Sequence, residues 1–245
     1  MSDFLFSGQP LDHELVASIA CLLDLADVPS LLWGNYLHTI YGVPTVVDVC
    51  HRLNLILLKA SFIPCTPEFD CGLADEILDP VPAAHLHIRA DLSVGLYPKS
   101  TVLLDFPSFD IHSSGAGNAD VILASDPRLP SDRIGRGQGC FSELLYPVRI
   151  LTPVRYCESI ILLLCRDLGG NYHCYWNAML IYVWEYVEET DIFDEESLGQ
   201  CYRDWYQAFK TPDMKIWSKL NEIRKDFVKR QVLPDVDVDL SWAPG

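Results

Sequence analysis

Three groups of residues have the types and spacing to do chemistry. The first is Gly34-Asn35, with Asp48 downstream. A chain that leaves the apolar run Leu31-Leu32-Trp33, turns at a glycine and enters a helix brings backbone N–H groups close to a phosphate. A carboxylate on the following strand, Asp48, would then hold a divalent cation against that phosphate. The second group is the loop 126–139, which sets Arg128, Arg133 and Arg136 among Gly135, Gly137 and Gly139. Glycines let backbone amides converge on an anion, and guanidinium groups grip phosphate or carboxylate through two hydrogen bonds at once. No Lys-Ser or Lys-Thr follows the last glycine, so this is not a Walker loop. The third group holds thiols and imidazoles. Cys50 with His85 would make a nucleophile and its base if the fold brings them together. His85 and His87 share one strand face, and with Cys65 and Cys71 they offer four ligands for zinc, at a spacing unlike the familiar zinc motifs.

The elements that must position these residues follow from periodicity. Residues 11–27 repeat apolar side chains at helical spacing, with Asp12 available as a cap. Residues 31–33 read as a short buried strand, 35–41 as a short helix stopped by Gly42, and 45–50 (TVVDVC) as a β-branched second strand. A helix over 53–61 and an irregular stretch over 64–84 come next. Strands are expected at 85–89, 94–97 and 101–106 (TVLLDF). Residues 107–147 lack periodicity, and loops this long often carry function. Helices follow over 155–167, 173–189, 195–210 and from Pro212 to about 232, and the Pro- and Asp-rich tail 233–245 is expected to be loose. Within these helices, Arg155 and Glu158 are spaced to form an ion pair, and the aromatic residues of 173–189 read as core. The expected division is an α/β core over 1–106, a Gly/Pro/Arg loop over 107–147, a helical bundle over 148–232 and an acidic tail over 233–245.

Composition narrows the functions. The chain has 245 residues, 49% apolar and 21% charged, enough to bury a core without staples. Eighteen basic against 34 acidic residues give a net charge of −16, which works against general nucleic-acid binding because phosphate contacts supply most of that affinity. A small nucleotide or another small-molecule anion stays open as a ligand, since a local arginine cluster overrides the global sign. No run of 18 apolar residues and no basic, apolar leader are present, so the expectation is a cytoplasmic protein that neither spans nor binds a membrane. The nine cysteines, odd in number and without a CxxC pair, read as reduced thiols, with Cys21, Cys157 and Cys165 buried in helices. The sequence leaves the oligomeric state open.

The order strand, Gly34-Asn35, helix, strand with Asp48 resembles the nucleotidyltransferase (polymerase-β-like) superfold. The family motif runs from an apolar strand through Gly-Gly or Gly-Ser and about a dozen residues to Asp-apolar-Asp or Asp-apolar-Glu. Here Leu31-Leu32-Trp33-Gly34-Asn35 stands for the first part, and Asp48-Val49-Cys50 follows after Tyr36 to Val47. The resemblance covers about residues 11–106 and implies an α+β fold, a mixed sheet with flanking helices, followed by a C-terminal helical bundle. It implies Asp48 and Asp105 as ligands of Mg²⁺, with Asp105 supplying the later-strand carboxylate. Cys50 stands where the family carries its second acid, and a thiol is a poor ligand for a hard cation. The strings VPSLLWGNYLHTIYGVPTVVD, LASDPRLPSDRIGRGQG and ESIILLLCRD also resemble a set of uncharacterised fungal proteins, a likeness that implies no activity.

Three function classes follow. One is a group-transfer enzyme, a nucleotidyltransferase-like transferase with weak or altered metal chemistry. It would use Asp48, Asp105 and Cys50 at the reacting centre and Gly34, Asn35, Arg128, Arg133 and Arg136 on the substrate. The second is a degenerate, pseudoenzyme-like module that binds a nucleotide or a protein. The third is a Cys/His enzyme on the same fold.

Overall fold

The computed structural model describes residues 4–44, 54–64, 82, 84–89, 92–107, 119–211 and 215–238. The expected strand over 45–50, with Asp48 and Cys50, lies outside the described residues, as do Cys65 and Cys71. Among the described residues the architecture is mixed α+β, with two small antiparallel sheets and a mostly helical C-terminal half. The chain forms two compact units. The first contains residues 1–76, 81–98 and 107–152, and the second contains 77–80, 99–106 and 153–245. The long loop after residue 106 therefore belongs to the first unit, and the short segment before it to the second.

In the first unit, α1 (His13–Leu25) starts where the Asp12 carboxylate accepts the Leu15 N–H at 2.9 Å. It buries Leu15, Val16, Ala17, Ala20 and Leu23, a helical stripe. Leu32 makes a single parallel bridge to Ile150, with its N–H on the Arg149 carbonyl at 2.9 Å, where the sequence predicts a short strand. Gly34 then opens α2 (Asn35–Ile40), whose residues from Tyr36 onward are all buried. After α3 (Asn54–Lys59), β1 (Ile63–Pro64), β2 (Ala84–Arg89) and β3 (Leu92–Leu96) form an antiparallel sheet in that order. The register pairs Ile63 with His87 and Leu86 with Val94, so Leu86 and Val94 bury one face. β4 (Val121–Leu123), inside the stretch read as loop, pairs with β5 (Arg149–Leu151). A bidentate ion pair, Arg149 to Asp24 at 2.9 Å, ties β5 to α1, and the Tyr146 hydroxyl also donates to Asp24.

The second unit begins with a correction. Residues 101–106 are not a strand: α4 (Lys99–Val102) is a helical turn, continued by the Leu103 N–H donating to the Lys99 carbonyl. A short apolar run has no periodicity of its own, and here Arg166 fixes the turn by donating to the Thr101 carbonyl. The axis of the unit is α5 (Pro153–Arg166), buried on every side from Tyr156 to Cys165. Proline suits its first position, where the missing N–H has no intrahelical partner to lose. α5 packs against α6 (His173–Tyr182) and α8 (Ile216–Lys229), and α7 (Gln200–Phe209) packs on α8. α6 runs on into a π-helical turn, Val183–Val187, and a 3-10 turn, Glu195–Ser197, precedes α7. Cys157 and Cys165 are buried as expected, and burial raises both thiol pKa values, whereas Cys21 is partly exposed. The tail is tied down at least to Val236, because the buried Arg224 donates to the Pro234 and Val236 carbonyls.

Candidate functional site

Gly34 has φ 77° and ψ −152°, a conformation essentially restricted to glycine. Among the described residues, a Cβ built on it meets nothing within 4 Å. No side chain caps the start of α2. Next to it, the Oδ1 atom of Asn35 is shielded from solvent and has no hydrogen-bond partner among the described residues. A buried carbonyl-type oxygen left unpaired costs about 1–3 kcal/mol, so it calls for a donor or a cation. Gly34 and Asn35 thus set a shielded, unsatisfied acceptor beside a glycine turn, and both belong to the first unit.

The arginine-bearing loop lies over the other end of the same helix. The Gly139 N–H donates to the Thr39 carbonyl at 3.0 Å and the Gly137 N–H to the Gly42 carbonyl at 3.2 Å. The Gly137 amide pairs the Gly42 carbonyl just past α2, and the Gly139 amide shares the Thr39 carbonyl with the Gly42 N–H, which donates to it at 3.1 Å. A Cβ on Gly137 would fall 2.2 Å from the Thr39 oxygen, and one on Gly139 would fall 2.5 Å from the Pro130 oxygen. The two glycines therefore serve close backbone contact. Gln138 between them accepts from the Tyr36 hydroxyl at 2.9 Å. α2 is six residues, about 9 Å, long. The loop's anchoring glycines and the Gly34 corner therefore mark opposite ends of one short helix.

The three arginines differ. Arg128 is clasped by Asp126 through two side-chain hydrogen bonds of 2.7 and 2.9 Å, which hold the Asp126 carboxyl below its ordinary range. Arg133 and Arg136 are exposed on a turn at the tip of the loop. Asp105 belongs to the second unit, half-exposed, with Arg230 3.7 Å from its carboxylate and Arg155 donating to its backbone carbonyl. Glu158, expected to pair with Arg155, does so at 2.9 Å and also accepts the Gly199 N–H at 2.7 Å, placing a carboxylate at the start of α7.

Among the described residues, no group of three or more His, Cys, Asp or Glu side chains could hold a metal ion. His85 and His87 lie on one face of β2 with ring centroids 5.3 Å apart, and burial followed by the His87 charge lowers the His85 pKa. A feature that the sequence does not single out is His13 at the start of α1. It stacks on Phe141 at 4.0 Å and meets the edge of Tyr36, and burial lowers its pKa against the opposing charges of Asp12 and Asp132. Its partners lie far along the chain, and no local spacing signals them.

Compared with family models, curated proteins and solved structures, the chain matches none of them. No helix among the described residues is long and apolar enough to cross a membrane.

Proposed function

We propose that the first unit is a binding module of nucleotidyltransferase-like fold that takes a nucleotide or another small phosphate-bearing anion at the Gly34–Asn35 corner. Group transfer, in this reading, is weak or lost. One observation carries it: the shielded, unpartnered Asn35 Oδ1 beside a glycine turn where, among the described residues, a Cβ would meet nothing within 4 Å. The amides of α2 would receive the phosphate, and Asn35 would accept from a ligand hydroxyl or ligate an accompanying cation. The degenerate reading is favoured over the active transferase by the settings of the other candidates. Asp126 occupies Arg128, Asp105 faces Arg230, and the Gly137 and Gly139 amides are spent on α2. Mg²⁺ enters only as a ligand-borne ion, since Asp105 with Arg230 beside it is poorly suited to share a cation.

The test is thermal stability with ATP, GTP, CTP or UTP, each alone and with Mg²⁺ or Mn²⁺, on wild type, Asn35→Ala and Asp48→Ala. A ligand at 100 times its Kd adds roughly 2.7 kcal/mol, or roughly 5–11 °C in a chain of this size. A rise lost in Asn35→Ala but kept in Asp48→Ala supports the binding module. A rise lost in both, with pyrophosphate released by wild type, replaces it with the metal-dependent transferase. No rise with any nucleotide refutes the reading.

A further inference from the structure

The loop that packs on α2 has an exposed tip, residues 131–136. The Arg136 N–H donates to the Arg133 carbonyl at 3.0 Å, and Gly135, at φ +78°, fills the third place of a type II turn. The stem is pinned by the two glycine amides on α2 and by the Cys140 N–H on the Pro130 carbonyl at 2.9 Å. Ile134, at the second place of the turn, is fully exposed. A lone exposed apolar side chain on a surface needs no explanation. This one stands between two arginines, on a turn whose pinned stem keeps it from folding back, in a chain of net charge −16.

The complementary surface is present on the same chain. In the π-helical turn Val183–Val187, Trp184 is 40% exposed. Glu185, Glu189 and Asp191 are exposed close to it in sequence. Lys210 takes Glu188 and Glu195, and Arg203 takes Glu196, so among the described residues those three acids lie outside the ion pairs of the segment. π-helical turns are rare and concentrate at functional positions.

We propose that the protein self-associates head to tail, with the Arg133–Arg136 turn of one copy seated on the Trp184 face of a second. Ile134 would cover the indole, a guanidinium would lie over its ring, and the carboxylates around it would take the arginines. Because the two surfaces differ, the contact is heterologous and builds rings or open chains. Charge sets its salt dependence. Copies of −16 repel each other over about 30 Å at 0.01 M salt but only about 8 Å at 0.15 M. Close pairs survive at 0.15 M and weaken at 1 M, so association should peak at intermediate salt.

Sedimentation velocity up to about 100 μM covers the micromolar Kd that a small contact supports. Wild type should sediment faster with concentration at 0.15 M salt, and less so at 0.01 M and 1 M. Ile134→Ser should weaken association at least about tenfold, and Arg133→Glu should do the same. Arg133→Glu with Glu185→Arg should recover it. All three wild-type positions are exposed, so unchanged melting temperatures verify the fold. Wild type that stays monomeric at every salt overturns the proposal, as does Ile134→Ser that associates like wild type. Loss in Arg133→Glu without recovery in the charge-swapped pair moves the contact away from the Trp184 face and overturns it as well.

Discussion

Gly137 is the sharpest place to separate a glycine that packs from a glycine that binds. Replacing it by alanine puts a Cβ 2.2 Å from the Thr39 oxygen, 2.6 Å from its Cα and 2.7 Å from the Val43 oxygen. All three are backbone atoms of the segment that ends α2, so no side chain can swing aside. The loop has to retreat by about 1 Å to reach ordinary contact, a distortion of the kind that costs about 1–3 kcal/mol in a packed core. That retreat also stretches the 3.2 Å bond from the Gly137 N–H to Gly42, and an orphaned buried carbonyl adds about 1–3 kcal/mol. Gly137→Ala should therefore cost about 2–6 kcal/mol. Gly135 is the control: its φ is +78°, but among the described residues a Cβ there meets nothing within 4 Å, so alanine costs only the left-handed backbone penalty of about 1–2 kcal/mol. Urea unfolding followed by tryptophan fluorescence reads both. Equal costs for the two variants would refute the packing role. So would Gly137→Ala of native stability that has lost affinity for inorganic phosphate, because the glycine would then be shaped for an anion.

Two further outcomes follow. The Arg149–Asp24 pair is buried on both sides, 6% and 8% exposed, so Asp24→Ala should cost about 3–5 kcal/mol while Asp24→Leu with Arg149→Met costs clearly less; unfolding free energies around the double-mutant cycle check this, and equal losses would contradict it. Burial pulls the His38 pKa from 6.5 down to about 3, so the unfolded chain binds the proton first, and this contribution to stability is complete above about pH 6.5 and lost as pH falls toward 3. Urea melts should show a slope steeper by about 1.4 kcal/mol per pH unit in wild type than in His38→Gln across this window, and parallel slopes would show that His38 accepts its proton while folded.

Elements with long periodicity were legible from sequence. α1, α7 and α8 fall close to their expected places because each repeats a buried stripe, and α5 because its long apolar run is bounded by Pro153 and Gly169-Gly170. The strands β2 and β3 were legible because their apolar residues alternate, whereas their pairing with each other was not. TVLLDF was misread because six residues carry the composition of a strand without its partner, and the partner decides. α4 exists where a distant arginine holds a carbonyl, which no window of sequence contains. β4 hid inside an apparent loop for the same reason: three residues become a strand only against β5.

The candidate site divides along the same line. Gly34 was legible because its demand is local: a strand-like bridge must turn into a helix, and only glycine adopts that backbone. The arginine loop was legible as a feature but not as a role. Its glycines suit an anion nest and a tight backbone contact equally well in sequence, and the difference lies in which carbonyls face them, here those of Thr39 and Gly42. The same contact gives the loop a second meaning. By anchoring its stem on α2, the chain keeps residues 131–136 in solvent, with an isoleucine and two arginines held outward. A turn whose stem is already held by backbone hydrogen bonds is suited to meeting another surface, because less entropy remains to be lost when it docks.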